Sequence, residues 1–310
     1  MKFRSLHKYF LISVVILIAA ICFVSYAPDV DVNELRHRYA YEDSQFMTID
    51  EMPVHYRING RGPALVLLHG TAASLHAWEA WTKELSNSFT IISLDLPAFG
   101  LTGPNDTGDY SIDYYVSFLD RFLKRLNLQN FHLGGNSLGG NIAWNYALKF
   151  PMKVNKLILL NASGYPTNKE ISLAFKLAKN DIGSTIVRHF TPKSLVRKSL
   201  REVYHNDDLV TTPLLERYYD LQLRQGNRQA FIDRARTKGG GSYVRIGEIQ
   251  NPTLILWGKE DIWIPVENAK RFHEDLPNSN LKIYDEVGHV PMEEIPRKSA
   301  MDVKDFLLSK

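Results

Sequence analysis

The sequence predicts an α/β architecture: a mostly parallel sheet flanked by helices, with a helical insertion. Three observations predict it. Short apolar runs alternate with amphipathic stretches over residues 46–166 and again over 249–310. The strand rhythm stops between residues 167 and 248, where the patterns are helical. A Gly-x-Ser-x-Gly turn at Gly135, Ser137 and Gly139 directly follows an apolar run and directly precedes a helical pattern.

At the N-terminus, residues 9–28 are a 20-residue stretch without a charge. As a helix rising about 1.5 Å per residue, it matches a hydrocarbon core about 30 Å thick. Lys2, Arg4 and Lys8 precede it, and Asp29, Asp31 and Glu34 follow. That asymmetry predicts a single-pass membrane anchor, its N-terminus cytoplasmic and the rest of the chain on the outer side. The competing reading is a cleaved signal and a secreted protein. Ser25-Tyr26-Ala27 supplies small residues for a cut, but Pro28 would follow it and the apolar run is long for a signal. The single cysteine, Cys22, excludes an internal disulfide. The bulky Ile21 before it argues against lipid attachment.

Residues 29–45 are polar and read as a linker. Residues 46–58 read as a hairpin about a Glu51-Met52-Pro53 turn. Ala64–Leu68, Thr90–Leu94, 131–135, 156–160, 253–257 and 281–284 read as strands. Residues 75–85, 138–150, Val266–Asp275 and 297–308 read as helices. Across 111–126 the apolar residues Ile112, Tyr115, Val116, Leu119, Phe122, Leu123 and Leu126 follow a helical period. The first core segment is therefore 46–166, the insertion or lid 167–248, and the second core segment 249–310. Gly239-Gly240-Gly241 reads as a joint near the lid's exit.

Composition narrows the function classes. Apolar residues are 45% and charged residues 23%, which excludes disorder and a multi-pass membrane protein. The net charge of +3 resides in the leader, and the remaining 34 basic residues balance 34 acidic ones. A neutral body does not suit a nucleic-acid binder. The lid holds fifteen Lys/Arg against nine Asp/Glu. No metal or other cofactor is implied.

The candidate chemistry starts at Ser137. A serine hydroxyl is a weak nucleophile and needs a base. A sharp strand-to-helix turn with glycine flanks lifts it clear of the sheet at the positive end of a helix. His289, in Val287-Gly288-His289-Val290-Pro291 after the last strand, is the candidate base. Asp261, in Trp257-Gly258-Lys259-Glu260-Asp261, is the candidate partner that fixes the imidazole, with Glu260 competing. Asn161, at the other common position for the acid, cannot ionise. Oxyanion donors are expected from the amides of Leu138 and Thr71, with Ala72 as runner-up. His69 braces its loop, and His55, His76, His132, His189, His205 and His273 read as structural or exposed. Leu173, Phe175, Leu177, Leu214, Leu215, Tyr218, Tyr219 and Leu221 are candidates to line a pocket or pack the lid, and Trp263 reads as core.

Five motifs in order carry a family resemblance over residues 46–310. They are His69-Gly70, Asp95-Leu96-Pro97-x-Phe99-Gly100, Gly135-Asn136-Ser137-Leu138-Gly139-Gly140, Trp257-Gly258-x-x-Asp261 and Gly288-His289-x-x-x-x-Glu294-x-Pro296. The chain resembles the α/β-hydrolase superfamily, and within it bacterial lipases and esterases and membrane-anchored monoacylglycerol lipases. The resemblance implies an α/β-hydrolase fold with a helical cap, the triad Ser137, Asp261 and His289, and oxyanion amides at Thr71 and Leu138. It also implies a small-molecule ester, lipid-derived or otherwise, as substrate. Ala98 stands where many members have Gly. The oxyanion loop lacks the Gly-Gly run of many esterases and the Gly-Pro-Gly of hydrolases that split carbon–carbon bonds of ring-cleavage diketones. The latter share a Gly-Asn-Ser-x-Gly-Gly elbow, so carbon–carbon hydrolysis is the alternative activity. A catalytically silent membrane receptor on the same fold is the non-enzymatic alternative.

Overall fold

The computed structural model describes residues 25–166, 173–237 and 243–309, with positions 9, 11–14 and 16 ahead of them. Residues 17–24, with Cys22, and the glycines at 239–241 lie outside the described residues. Among the described residues no helix is long and apolar enough to cross a membrane, so the transmembrane helix expected over 9–28 is not found there.

Eight strands form one sheet: β1 (Gln45–Ile49), β2 (Met52–Gly60), β3 (Ala64–Leu68), β4 (Thr90–Leu94), β5 (Phe131–Asn136), β6 (Val154–Leu160), β7 (Thr253–Gly258) and β8 (Ser279–Tyr284). Their order is β1-β2-β4-β3-β5-β6-β7-β8. The β1–β2 and β2–β4 pairings are antiparallel. From β4 to β8 every pairing is parallel. Parallel strands need covered faces, and alternation along each strand feeds two cores. Val66, Leu68, Leu157 and Leu159 pack into one core, which α3 (Ile112–Arg125), α4 (Leu138–Lys149) and α10 (Val266–Asp275) cover. Leu65, Leu67, Ile158 and Leu160 pack into the other, with α2 (Glu79–Leu85) and the C-terminal helix α12 (Pro296–Leu308). A four-residue helix, α11 (Pro291–Glu294), precedes α12.

The hairpin turn lies one residue or more earlier than expected. Ile49 pairs with Met52, which leaves Asp50-Glu51 as a two-residue loop. Both loop residues have positive φ, 49° and 63°, as a type I′ turn requires. Pro53 stands within β2, opposite Thr48. Proline is tolerated there because β2 meets β4 only from Tyr56 onward.

Residues 29–45, expected as a linker, hold helix α1 (Val32–Tyr39), capped by the Asp31 side chain on the Asn33 amide. Its one buried residue, Leu35, packs with Leu101 and Leu221. Val32, Leu35 and Tyr39 stand at helical spacing, but three apolar positions over two turns make too short a pattern, and a helix of eight residues rests on tertiary contacts. The preceding segment threads the inserted helices. Val30 N–H donates to Leu223 O at 2.7 Å and Gln225 N–H to Val30 O at 3.0 Å. Ala27 N–H donates to His189 O at 3.2 Å, and Asp29 pairs with Arg228 at 2.6 Å. The insertion itself has five α-helices among the described residues: α5 (Leu173–Lys179), α6 (Asp181–His189), α7 (Lys193–Val203), α8 (Thr212–Gln222) and α9 (Asn227–Arg236).

Two buried histidines give the fold a predictable acid response. Burial holds His132 and His76 down to a pKa of about 4. An unfolded histidine protonates near pH 6.5. The unfolded chain therefore binds more protons across the window from about pH 6.5 to 4, and stability falls as pH falls through it. Each histidine contributes up to about 1.4 kcal/mol per pH unit. His132 Nδ1 has no hydrogen-bond partner, so its ring is replaceable by an apolar side chain. In urea titrations between pH 7 and 4.5, His132→Leu is expected to lose stability less steeply than wild type. Parallel slopes would contradict the assignment.

Candidate active site

The site is built where β5 hands over to α4. Ser137, between them, has φ 54° and ψ −113°, a conformation that costs a non-glycine residue about 1–3 kcal/mol. Close packing holds it there. A Cβ on Gly135 would lie 2.2 Å from Gly139 O, and one on Gly139 would lie 2.1 Å from Leu68 O. The Ser137 amide donates to Leu160 O at 3.0 Å, and Ser137 O accepts from Asn141 and Ser163 amides at 3.0 and 3.1 Å. Neighbouring strands and the first turn of α4 thus determine where this serine stands.

Asp261 and His289 come from loops after β7 and β8. Both are buried, and His289 Nδ1 lies 2.6 Å from Asp261 Oδ2. The same Oδ2 accepts from Asn161 Nδ2 at 2.7 Å. Oδ1 accepts from the Trp263 and Ile264 amides at 2.8 and 3.0 Å. Burial pushes this carboxyl up, but the His289 ring and these donors together hold it below the usual carboxylate range. An ionised Asp261 takes the Nδ1 proton of His289 as a hydrogen bond, which leaves Nε2 as the acceptor. Glu260, the competing acid, is exposed.

The His289 loop is tied down on three sides. Its amide donates to Val203 O at the end of α7 at 2.8 Å. Asn136, beside Ser137, donates from Nδ2 to His289 O at 2.9 Å. Glu294 accepts from the Gly288 amide at 2.7 Å and from the His205 amide at 2.8 Å. Glu294 therefore couples the loop to the inserted helices.

Ser137 and His289 open into one cavity of about 70 Å³, together with Gly70, Thr71 and Trp263. No hydrogen bond joins the serine hydroxyl to the imidazole among the described residues. Such contacts commonly tighten only with substrate bound. A neighbouring cavity of about 130 Å³ shares Thr71 and Trp263 and is walled by Phe175, Val187, Phe190 and Phe231. Leu138 opens α4, where helix geometry leaves the amide without an intrahelical acceptor. Ala72, after Thr71, has φ 59°. The structure thus brings Ser137, His289 and Thr71 to one cavity, with Asp261 behind the imidazole.

Of the pocket candidates, Phe175 and Leu221 line the larger cavity and Tyr218 the smaller. Leu215 is fully buried and Leu173 is exposed. Trp263 corrects an expectation: it is a cavity wall, its ring 5.7 Å from that of His289. Asn161 was legible only as a missing acid, yet it reaches the acid that is present.

A second serine–histidine–aspartate relay lies elsewhere. Ser44 Oγ is 2.7 Å from His55 Nε2, and His55 Nδ1 is 2.8 Å from Asp95 Oδ2. Asp95 also accepts from the Leu75 and Leu101 amides, both at 2.7 Å. Burial opposes its ionisation, but His55, with His69 and His76 nearby, holds it down to about 2. Neither cavity reaches Ser44. Its oxygen accepts from the Tyr41 amide, and its own amide donates to Tyr41 O. This relay fastens the β-hairpin to the core. His69 braces its own loop, as expected: its Nε2 accepts from the Leu96 amide at 2.9 Å.

The close approach of Gly139 to β3 is testable. Gly139→Ala forces a backbone shift and is expected to cost about 1–3 kcal/mol in urea unfolding. Unchanged stability would mean the elbow is looser than described.

Comparison with known proteins agrees with this fold. The profile for the alpha/beta hydrolase fold matches residues 63–296. Human monoacylglycerol lipase ABHD6 is 28% identical over 81% of this chain and 77% of its own length. A 2-hydroxy-6-oxo-2,4-heptadienoate hydrolase of Pseudomonas putida is 30% identical over 81% of this chain and 91% of its own. A solved bacterial membrane phospholipase A superposes with a TM-score of 0.74 at 26% identity, covering 97% of this chain and 98% of that one. With that profile spanning most of its sequence, the chain belongs to the α/β-hydrolase family and is a hydrolase.

Proposed function

We propose that this hydrolase cleaves carboxylic esters through Ser137, His289 and Asp261. The carrying observation is the 2.6 Å Asp261–His289 hydrogen bond beside a strained serine in a shared cavity. His289 Nε2 takes the Ser137 proton as Oγ attacks the ester carbonyl. The Thr71 and Leu138 amides hold the oxyanion, a contribution of about 3 kcal/mol per donor. His289 then protonates the departing alcohol. Water, deprotonated by the same imidazole, releases the acid and restores the serine.

The apolar larger cavity supports a lipid-derived or otherwise apolar acyl group. The insertion, residues 167–248, acts as the lid over both cavities. The basic leader and its uncharged stretch support a membrane anchor with the hydrolase on the outer side, secretion after cleavage being the alternative. Tethering would hold the enzyme where lipid esters are abundant.

Carbon–carbon hydrolysis of a ring-cleavage diketone is the second reading. The 30% identical Pseudomonas putida relative and the Gly135-Asn136-Ser137 elbow favour it. Purified protein assayed on p-nitrophenyl esters of graded chain length and on a dienone panel separates the two. Ester turnover is expected to dominate. Asp261→Asn should lower it about 10⁴-fold, while Glu260→Gln stays within about twofold of wild type. Dienone turnover without esterase activity would replace the first reading with the second.

A further inference from the structure

The smaller cavity holds a carboxyl that the proposed triad chemistry does not use. Glu293, on α11, lines it with Ser137 and His289. From the lid, Tyr218 and Gln222 of α8 and Ser199 of α7 line the same space. The Tyr218 hydroxyl donates to Glu293 Oε1 at 3.2 Å. The buried Tyr204 hydroxyl faces the same carboxyl without a well-formed hydrogen bond. Arg217 faces it too, with its Nε buried and unpartnered. Burial, aided by nearby Glu294, holds Glu293 above the usual carboxylate range, against the opposing pull of Arg217 and the two tyrosines.

The two cavities therefore differ in chemistry. The larger is walled from the lid mainly by Phe175, Val187, Phe190, Leu195 and Phe231, and its polar Asn227 and Arg228 are already bonded to Gly100 O, Leu221 O and Asp29. Ser199 and Gln222 line both cavities, and the smaller alone adds Glu293 and Tyr218 beside Ser137 and His289. An ester carbonyl at Ser137 has two substituents, and each cavity suits one. An acyl chain gains by entering the apolar cavity. The alcohol then falls beside Glu293. Beyond the bond between Tyr218 and Glu293, a simple alkyl alcohol would leave the remaining hydrogen-bonding capacity of Glu293, Tyr218, Gln222 and Ser199 unused, which is costly in a water-poor site. An alcohol with spare hydroxyls would satisfy them.

We propose that Glu293 and Tyr218 form an alcohol-side subsite that hydrogen-bonds free hydroxyls of the leaving group, selecting esters of polyols such as glycerol over esters of simple alcohols. This rests on the ester-hydrolase reading above. Glu293 is a specificity-determining group here, and the chemistry stays with Ser137 and His289. A purely structural Glu293, one that only tethers lid to core, would not discriminate between alcohols.

The test compares 1-monooctanoylglycerol with methyl octanoate, which share an acyl group. Fatty-acid release by the purified full-length protein gives kcat/KM for each. Wild type is expected to prefer the glycerol ester about tenfold or more. Glu293→Gln should shrink that preference about tenfold, mainly through KM, and Tyr218→Phe by about threefold. Thermal unfolding checks that each variant is folded. If Glu293→Gln fails to fold, Tyr218→Phe, which removes only a hydroxyl, decides. Equal proportional losses on both substrates, or an unchanged preference, would overturn the subsite. Brisk methyl octanoate hydrolysis by wild type without preference for the glycerol ester would also overturn it, with the ester reading intact. No hydrolysis of either ester would remove both.

Discussion

A serine held at φ 54° between a strand and a helix is the constraint on which the remaining architecture depends. That conformation is unfavourable in isolation and persists only because its surroundings leave no alternative. Gly135 and Gly139 pass so close to neighbouring backbone that a side chain would clash at 2.2 and 2.1 Å. β5 lies inside the parallel sheet, between β3 and β6. Both cores pack against those strands. The energy stored at the turn is offset by burial spread over the whole domain.

From that point the site grows outward by hydrogen bonds. Asn136 ties the turn to the His289 loop. Asn161 and two backbone amides orient Asp261, which in turn orients the imidazole. Glu294 and Val203 join the histidine loop to the lid. Movement of α7 would therefore be felt at His289 directly. The N-terminal segment adds a further restraint, since residues 25–30 are bonded to lid residues on two sides.

Much of this was legible in the sequence, for identifiable reasons. The buried parallel strands are continuous apolar runs, and the elbow has glycines at fixed offsets, so both leave local signals. Asp261 and His289 were legible from their neighbours and their order along the chain. Helix α1 was not, because its three apolar positions, Val32, Leu35 and Tyr39, span only two turns within a charged stretch. The hairpin turn was misplaced because Asp50-Glu51 adopts positive φ without a glycine, while Pro53 drew the prediction toward itself. Trp263 and Glu293 were hidden for a different reason. Whether a tryptophan or a glutamate faces core, solvent or cavity depends on segments far away in sequence, here α7, α8 and the Thr71 loop. No local pattern encodes that.

Among the described residues, serine, histidine and aspartate come together at Ser44-His55-Asp95 and at Ser137-His289-Asp261, and of these two groups the second opens into the cavities described above. Labelling the full-length protein with a fluorophosphonate and mapping the adduct by peptide mass spectrometry tests the central claim most directly. The account predicts a single phosphonylated serine, Ser137, in the peptide spanning the elbow. An adduct on Ser44 or any other serine, with Ser137 unmodified, would contradict it.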